Sequence, residues 1–211
     1  MNDVNLGLID SRRLAQGNLS SEHGEREGKA PSRQGGMEGA TRAPLIEFAL
    51  LDSRLGTIVL VARKKRLIGL DITSENGAVT RKRLRDQYPD ATESVKPFGK
   101  LQRLLDRFLR GVRVDFDVPF DLGDMGDFSR RVLLEVKAIP YGAVVSYGSI
   151  GRRLGYPMAA RAVGQAVGRN PIPIVIPCHR VVRSDGRLGG FSMGLNLKER
   201  LLALEGVRLP Q

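Results

Sequence analysis

Cysteine, histidine and tryptophan are scarce in this sequence. Its 211 residues include one cysteine, Cys178, two histidines, His23 and His179, and no tryptophan. A single cysteine excludes an internal disulfide and a metal cage built from several thiolates. No apolar run approaches the ~18 residues that a membrane span needs, and the N-terminus lacks the pattern of a signal peptide. We therefore expect a cytoplasmic protein that has no membrane partner.

Acidic residues are scarce in the second half of the chain. Residues 130–211 hold 13 Lys and Arg against 4 Asp and Glu, so this part carries +9 of the total net charge of +11. A basic region of this size favours a polyanionic partner, with nucleic acid as the first candidate. Charge alone leaves open a second interpretation, in which the basic surface has no partner.

Aromatic residues are absent from residues 1–44, which are rich in Gly, Ser, Arg and Glu. Such a segment can bury little apolar surface, so we predict a disordered tail there. Residues 45–122 predict a small α/β unit in which three β-rich runs joined by tight turns form an antiparallel meander. A short polar helix, an amphipathic helix and an edge strand over residues 114–120 are expected to follow.

Residues 123–211 predict a mainly helical unit, so the fold class is α+β. Ser146 is a good N-cap for a short helix that stops at Gly155, and Pro157 suits the first turn of a helix that runs to Gly168. Two short helices around a tight turn resemble a helix-turn-helix. A last helix is expected over 197–205, with Asn196 in a capping-box-like start.

The second helix of this pair has an unusually small-residue composition, including Ala160, Gly164 and Gly168. Each interior glycine costs about 1 kcal/mol relative to alanine, so the backbone is expected to lie close to something. Close packing between helices is one interpretation. Close approach to a nucleic acid is the other, and it is favoured by Arg161 and Arg169.

The stretch "IVIPCHRVV" places Cys178 and His179 side by side after an apolar run that we interpret as a core strand ending in a turn. Neighbouring side chains diverge on a strand or a turn, so a water bridging thiol and imidazole is the natural link. Glu205 is a candidate to orient His179, because an anion at a helix C-terminus needs a compensating role. An exposed helix-end residue is the alternative for Glu205, and a simple turn former is the alternative for Asn170.

The segment "NPIPIVIPCHRVV", residues 170–182, closely resembles the active-site signature of the O6-alkylguanine-DNA alkyltransferases. The flanking segments "IPYGAVVSYGSIGRRLGYPMAARAVGQAVGRN" and "SDGRLGGFSMGLNLKERLLALEG" follow the same family pattern. The resemblance implies a strand-rich N-terminal domain of ribonuclease H-like type over 45–122. It also implies a C-terminal domain over 123–211 that binds DNA and accepts the alkyl group.

The resemblance also implies roles at matching positions. Cys178 would accept the alkyl group, and His179 would deprotonate it through a water. The other catalytic positions are Glu205, which would orient the histidine, and Asn170, which would act as a hinge. Arg161 would replace the base that is flipped out of the duplex, since chemistry on a base requires it to leave the stack. The remaining DNA- and base-binding positions are Tyr147, Ala160, Gly164, Val181, Phe191, Ser192 and Lys198.

These implications describe a protein that acts once and is consumed, because a thioether forms and no second cysteine can resolve it. The expected substrate is double-stranded DNA containing O6-alkylguanine, with the preference relative to O4-alkylthymine left open. No cofactor or metal is expected, and the protein is expected to be a monomer. Phe191 occupies a position where many relatives have tyrosine, and Met193 lies in a run that is often glycine-rich, so the pocket is expected to reject bulky alkyl groups.

Two other functions stay open on the sequence alone. A damage-sensing DNA-binding protein that no longer transfers the alkyl group would share these helices, although relatives of that kind replace the cysteine. A Cys-His hydrolase would use the same thiol and base, but the sequence shows no evident oxyanion hole and this function leaves the basic half unexplained.

Overall fold

The computed structural model describes residues 46–210. The predicted tail with His23, and the residues Leu45 and Gln211, lie outside the described residues. The described part has a strand-rich half followed by a helical half, which confirms the predicted α+β class. Within residues 46–210, no helix combines the length and the apolar character that crossing a membrane requires.

The predicted antiparallel meander is present as β1 (Ile46–Ser53), β2 (Gly56–Arg63) and β3 (Arg66–Thr73). A fourth, two-residue strand, β4 (Thr92–Glu93), pairs in parallel with β1 and was not predicted. The strand order is therefore β3-β2-β1-β4, which places β3 at an edge of the sheet.

Six α-helices lie within the described residues. The first two pack against the sheet, and the other four belong to the second half of the chain. The six helices are α1 (Gly77–Gln87), α2 (Gly99–Leu109), α3 (Asp127–Lys137), α4 (Tyr147–Arg153), α5 (Ala160–Gly168) and α6 (Leu195–Leu204). One sheet face packs with α1 in a small cluster made by Phe48, Val59, Val61, Ile68 and Leu84. The other face joins α2 and the C-terminal helices in one continuous core, so the two predicted units share buried surface.

The second half of the chain also contains two short parallel strands. The strands β5 (Val145–Ser146) and β6 (Val181–Val182) pair with each other. A single 3₁₀ turn, Cys178–Arg180, comes directly before β6 and is called the thiol turn below. The segment 183–194, between β6 and α6, is called the cleft loop.

Four predicted elements differ from the structure, the fourth being the apolar run before Cys178. The segment 114–120 is not a strand, and only Phe120 forms a bridge, with Leu67; Pro119 has no backbone N–H to donate to a ladder. The helix expected from Pro157 begins at Ala160, since residues 157–158 are used by the turn that precedes it. The last helix begins at Leu195 after Gly194, whose φ of 89° ends the cleft loop, so the predicted Asn196 cap is wrong.

The apolar run before Cys178 is a buried turn rather than the expected core strand. Pro173 and Ile176 form a bridge with each other, and Ile174 between them has a left-handed φ of 71°. Burial of every side chain from Ile172 to Pro177 compensates this strained backbone, which is unfavourable for a β-branched residue.

Candidate functional site

The helix-turn-helix is built from local signals that the sequence carries. The Ser146 side chain accepts a hydrogen bond from the backbone N–H of Ser149, as an N-cap does, and Gly155 ends α4 with a φ of 84°. Gly151 allows the turn to fold back on α4, because a Cβ there would lie 2.7 Å from the Tyr156 carbonyl oxygen. α3 and α4 pack against α5 from the inner side.

Packing inside the protein explains Ala166 of α5, which is 1 % exposed in the core, but not the two glycines of this helix. A Cβ on Gly164 would make an ordinary contact of 3.8 Å with the Tyr147 ring, and a Cβ on Gly168 would meet no described atom within 4 Å. Ala160, Arg161 and Gly168 are exposed. Close packing between helices therefore does not require a glycine at position 164 or 168, and a close approach by another molecule stays a prediction.

A cleft of about 860 Å³ opens between α5 and the cleft loop, with Cys178 among its lining residues. It brings together seven of the predicted site residues: Tyr147, Ala160, Arg161, Gly164, Cys178, Phe191 and Ser192. The other predicted residues, His179, Glu205, Asn170, Val181 and Lys198, do not line the cleft. The site therefore has a cleft with a thiol in its lining and a buried layer of polar groups behind that thiol.

Cys178 is 2 % exposed and is the first residue of the thiol turn. A 3₁₀ turn has three residues per turn, so successive side chains point roughly 120° apart. Cys178 faces the cleft, while His179 and Arg180 point into the protein. Burial raises the pKa of the Cys178 thiol to about 11, whereas the Asn170 side chain and the Lys198 ammonium act to lower it.

His179 is completely buried and its Nε2 lies 2.8 Å from Glu205 Oε1. Burial lowers the pKa of His179 and outweighs the opposite effect of the Glu205 carboxylate, so the ring is neutral at pH 7. Since an ionised Glu205 can only accept a hydrogen bond, Nε2 carries the proton and Nδ1 is the free acceptor. Among the described residues, Nδ1 has no hydrogen-bond partner, so no direct hydrogen bond joins it to the thiol, as expected from the divergence of the two neighbouring side chains.

Glu205 is buried rather than exposed at the end of α6, and it accepts hydrogen bonds from four donor groups on three residues. Besides His179, the Arg180 guanidinium donates from Nε (2.9 Å) and Nη2 (2.9 Å), and the Gly142 backbone N–H donates at 2.9 Å. Burial acts to raise the pKa of Glu205, but the hydrogen bonds from His179 and Arg180 outweigh it and lower the pKa to about 2. The carboxylate is therefore ionised at every pH near neutrality.

Arg180 was not predicted as a site residue. It is 6 % exposed, donates also to the Ile139 carbonyl, and stacks over the Tyr141 ring with 5.9 Å from guanidinium carbon to ring centre. The sequence signal that could have identified Arg180 is its position as a charged residue within an apolar run, because a buried charge needs a buried partner.

Asn170 holds the buried turn closed. Its side-chain N–H donates to the Ile176 carbonyl at 2.8 Å, and its side-chain oxygen accepts from the Ile172 backbone N–H at 3.1 Å. Both ends of the turn that presents Cys178 are thus tied to one amide. Asn170 is therefore more than a turn former, because its side chain links two separate backbone positions.

Lys198 does not face the cleft, which corrects its interpretation as a base-contacting residue. Its side chain is completely buried, and Nζ donates to the carbonyls of Val181 (2.6 Å), Gly190 (3.4 Å) and Leu188. Burial lowers the pKa of Lys198 to about 8. The helical period could have revealed this, because Lys198 lies on the apolar face that Leu197 and Leu201 define.

Tyr147 joins α4 to the cleft loop. Its hydroxyl donates to the Gly190 carbonyl at 3.2 Å. Gly189 allows the ring to lie there, because a Cβ at this position would be 2.8 Å from Tyr147 Cε2 and the residue has a φ of 67°. Sequence reasoning did not identify this glycine, since the contact joins residues 42 positions apart and only the fold brings them together.

Comparison with known proteins gives two family matches that together span most of the described chain. The model of the 6-O-methylguanine DNA methyltransferase ribonuclease-like domain matches residues 46–122, and that of the DNA binding domain of the same family matches residues 127–207. A methylated-DNA–protein-cysteine methyltransferase of Mycolicibacterium paratuberculosis is 38% identical over 161 residues, covering 76% of this chain and 93% of the relative.

Two further comparisons agree with these matches. The protein of the same name from Methanothermobacter thermautotrophicus is 40% identical over 147 residues, covering 68% of this chain and 82% of the relative. The crystal structure of Mycobacterium tuberculosis OGT in complex with DNA has a TM-score of 0.66 and 35% identity, covering 75% of this chain and 92% of that chain.

Proposed function

The chain belongs to the 6-O-methylguanine DNA methyltransferase family, and from that premise we propose that it repairs double-stranded DNA by moving an alkyl group from guanine O6 to Cys178. The enzyme class is methylated-DNA–[protein]-cysteine S-methyltransferase. The observation that carries the proposal is the position of Cys178 in the lining of the cleft beside α5, with a His179–Glu205 pair directly behind it.

The proposed reaction has one bond-forming and one bond-breaking event. The Cys178 proton passes through a water to His179 Nδ1, the acceptor that the hydrogen bond to Glu205 leaves free. The sulfur attacks the alkyl carbon, the carbon–O6 bond breaks, and the released guanine takes up a proton. The thioether is permanent, because the sequence contains no second thiol. Each protein molecule therefore reacts once and needs no cofactor.

We propose that proton removal and attack occur together, because both pKa shifts disfavour a separate thiolate–imidazolium pair. The Cys178 thiol has a pKa of about 11, and the His179 pKa lies below its usual 6.5. A complete proton transfer before attack would cost at least about 6 kcal/mol, at 1.36 kcal/mol per pKa unit. We propose that the Lys198 ammonium offsets part of this cost as negative charge develops on the sulfur.

DNA binding in this proposal uses the exposed face of α5. The +9 charge of residues 130–211 attracts the phosphates, and the small residues of α5 suit the narrow minor groove. Arg161, which lines the mouth of the cleft, would replace the flipped base in the stack. Tyr147 and Phe191 would then contact the flipped guanine from two sides of the cleft.

Backbone groups are proposed to read the base. The carbonyls of Cys178 and Val181 would accept from the guanine amino group, and the backbone at Ser192 would bind O6. Lys198 contributes by holding the Val181 carbonyl and the cleft loop rather than by touching the base. We further propose a monomer that works in the reducing cytoplasm and is divided at residue 122 into its two domains.

Intact-mass measurement tests this function. Incubation with an excess of a duplex that contains one O6-methylguanine is expected to add one methyl group per protein molecule, located on Cys178 by peptide mapping. Cys178→Ala is the control and should show no gain. Continued turnover beyond one equivalent, or label on another residue, contradicts the proposal, and tight binding without any mass gain would indicate a damage sensor. A parallel duplex with O4-methylthymine defines the substrate range.

A further inference from the structure

The N-terminal unit reaches the proposed general base through one aromatic side chain. Phe108, on α2, is completely buried, and its ring contacts that of His179 edge-on, with centroids 6.2 Å apart and planes at 60°. We infer that Phe108 is a positioning residue for alkyl transfer, which holds the His179 ring in the orientation that points Nδ1 towards the thiol side. This inference rests on the proposed alkyl transfer.

The hydrogen bond to Glu205 does not by itself determine the orientation of the ring. It fixes the position of Nε2, but the imidazole can still tilt about this contact and move Nδ1. A bridging water must reach both Nδ1 and the Cys178 sulfur, and hydrogen bonds weaken steeply when their angles depart from linearity. The edge of Phe108 supplies the second contact that prevents the tilt.

Phe108 is itself held from two other sides. Its ring contacts Phe116 edge-on at 5.6 Å and Tyr141 at 6.2 Å. A side chain packed between three rings has little freedom, so it can transmit a fixed position to His179.

The backbone of the N-terminal unit is attached to the same region. The Tyr141 hydroxyl shares its proton between the carbonyls of Leu204 (2.8 Å) and Gly111 (3.0 Å), and Gly111 follows the end of α2. On the other side, the Leu70 backbone N–H donates to the Pro171 carbonyl at 2.9 Å, next to the amide that closes the buried turn. These hydrogen bonds fix the position of the N-terminal unit relative to the segment that contains the buried turn and the thiol turn.

Phe108 also helps to exclude water from His179, so its loss has a defined electrostatic consequence. The ionisable groups around the ring are Glu205 and Lys198 from α6, Cys178 and Arg180 from the thiol turn, and Tyr141 before β5. A change at Phe108 alters the packing of Tyr141, whose ring it contacts, and leaves the other four groups chemically unchanged. Because burial is the main reason that the His179 pKa is low, admitting water should move this pKa up towards its usual 6.5.

The test uses the full chain with Phe108→Leu and a matched control, Phe48→Leu. Phe48 is equally buried but belongs to the separate cluster between the sheet and α1. Ring-nitrogen NMR of the only two histidines, with His23 as internal reference, is recorded against pH. Phe108→Leu is expected to raise the His179 pKa and to mix its tautomers, and the control is expected to leave both unchanged.

The rate of methyl transfer is measured in parallel. Phe108→Leu is expected to slow transfer about tenfold, a part of the 10²–10⁴-fold that general-base catalysis supplies, with unchanged affinity for undamaged DNA. Unchanged His179 spectra in Phe108→Leu, or equal effects of both variants, would overturn the inference. If Phe108→Leu does not fold, Phe108→Met conserves the volume and gives the same readouts. A wild-type protein that transfers no methyl group refutes the proposed function, while the NMR comparison still decides whether Phe108 positions the ring.

Discussion

Replacing Glu205 with glutamine removes one negative charge and leaves the shape of the side chain almost unchanged. The amide keeps one acceptor oxygen, but its N–H₂ group then faces other donors. At the Oε2 position these are Arg180 and the backbone N–H of Gly142, and at the Oε1 position they are Arg180 and His179. The Arg180 guanidinium also loses its counter-charge while it stays buried. Breaking a buried pair in this way is typically more costly than the pair is stabilising.

The magnitude follows from the pKa of Glu205. Its lowering from an ordinary 4.5 to about 2 corresponds to roughly 3 kcal/mol of stability at neutral pH, at 1.36 kcal/mol per pKa unit. A depressed carboxylate pKa stabilises the fold above the unfolded-state value and loses this contribution as the pH falls towards the folded-state value. Between pH 7 and pH 3, roughly 2 of these 3 kcal/mol should disappear.

Urea unfolding of Glu205→Gln and wild type, followed by far-UV circular dichroism because the chain has no tryptophan, measures this difference. The free energy of unfolding should differ by roughly 3 kcal/mol at pH 7 and by only about 1 kcal/mol at pH 3. Glu199→Gln is the control, since Glu199 is exposed on the same helix and its change should cost less than about 0.5 kcal/mol at both values.

Two results would refute this reasoning. Equal stability of Glu205→Gln and wild type at pH 7 would mean that the buried ion pair contributes nothing beyond its neutral counterpart. A difference that stays constant from pH 7 to pH 3 would mean that the destabilisation comes from altered packing and not from the ionised carboxylate.

Two further predictions concern the cleft loop. Lys198→Met removes three hydrogen bonds, two to the cleft loop and one to Val181, and a cation that lowers the pKa of the thiol, so methyl transfer to Cys178 should slow at least tenfold. Unchanged transfer with an intact loop, as judged by limited proteolysis, would contradict this. Gly189→Ala places a Cβ 2.8 Å from Tyr147 in a left-handed backbone and should lower stability by about 1–2 kcal/mol, seen as a lower melting temperature. Gly190→Ala is the matched control, since its Cβ would meet no described atom within 4 Å, and similar melting of both variants would speak against the clash.

The secondary structure of the chain was largely predictable because its signals are local. The apolar period of α2 and α3, the Ser146 cap and the Gly155 stop each act within one or two turns, and each is present in the structure. The strand expected over 174–176 was wrong for a physical reason. An apolar run only indicates burial, and a buried turn held by Asn170 satisfies it as well as a strand does.

The candidate site was predictable to the extent that a single segment carries it. Cys178, His179 and Asn170 lie within ten residues, and Glu205 stood out as an anion at a helix end. The contacts of Lys198, Tyr147 and Phe108 with this segment depend on how distant elements pack. No periodicity or spacing in the sequence encodes those distances, so only the folded chain could show them.

The edge strand β3 has a consequence for how the chain avoids self-association. An exposed edge offers unpaired backbone groups to any other strand, and "LIGLDI" is an apolar sequence of the kind that aggregates. Here the N–H of Leu67 bonds to Pro119, its carbonyl bonds to Asp121, and the N–H of Leu70 bonds to Pro171. Since Pro171 belongs to the helical half, detaching that half would expose backbone groups of β3 that can pair with another strand. The segment that presents the thiol thus also serves as a shield for the sheet.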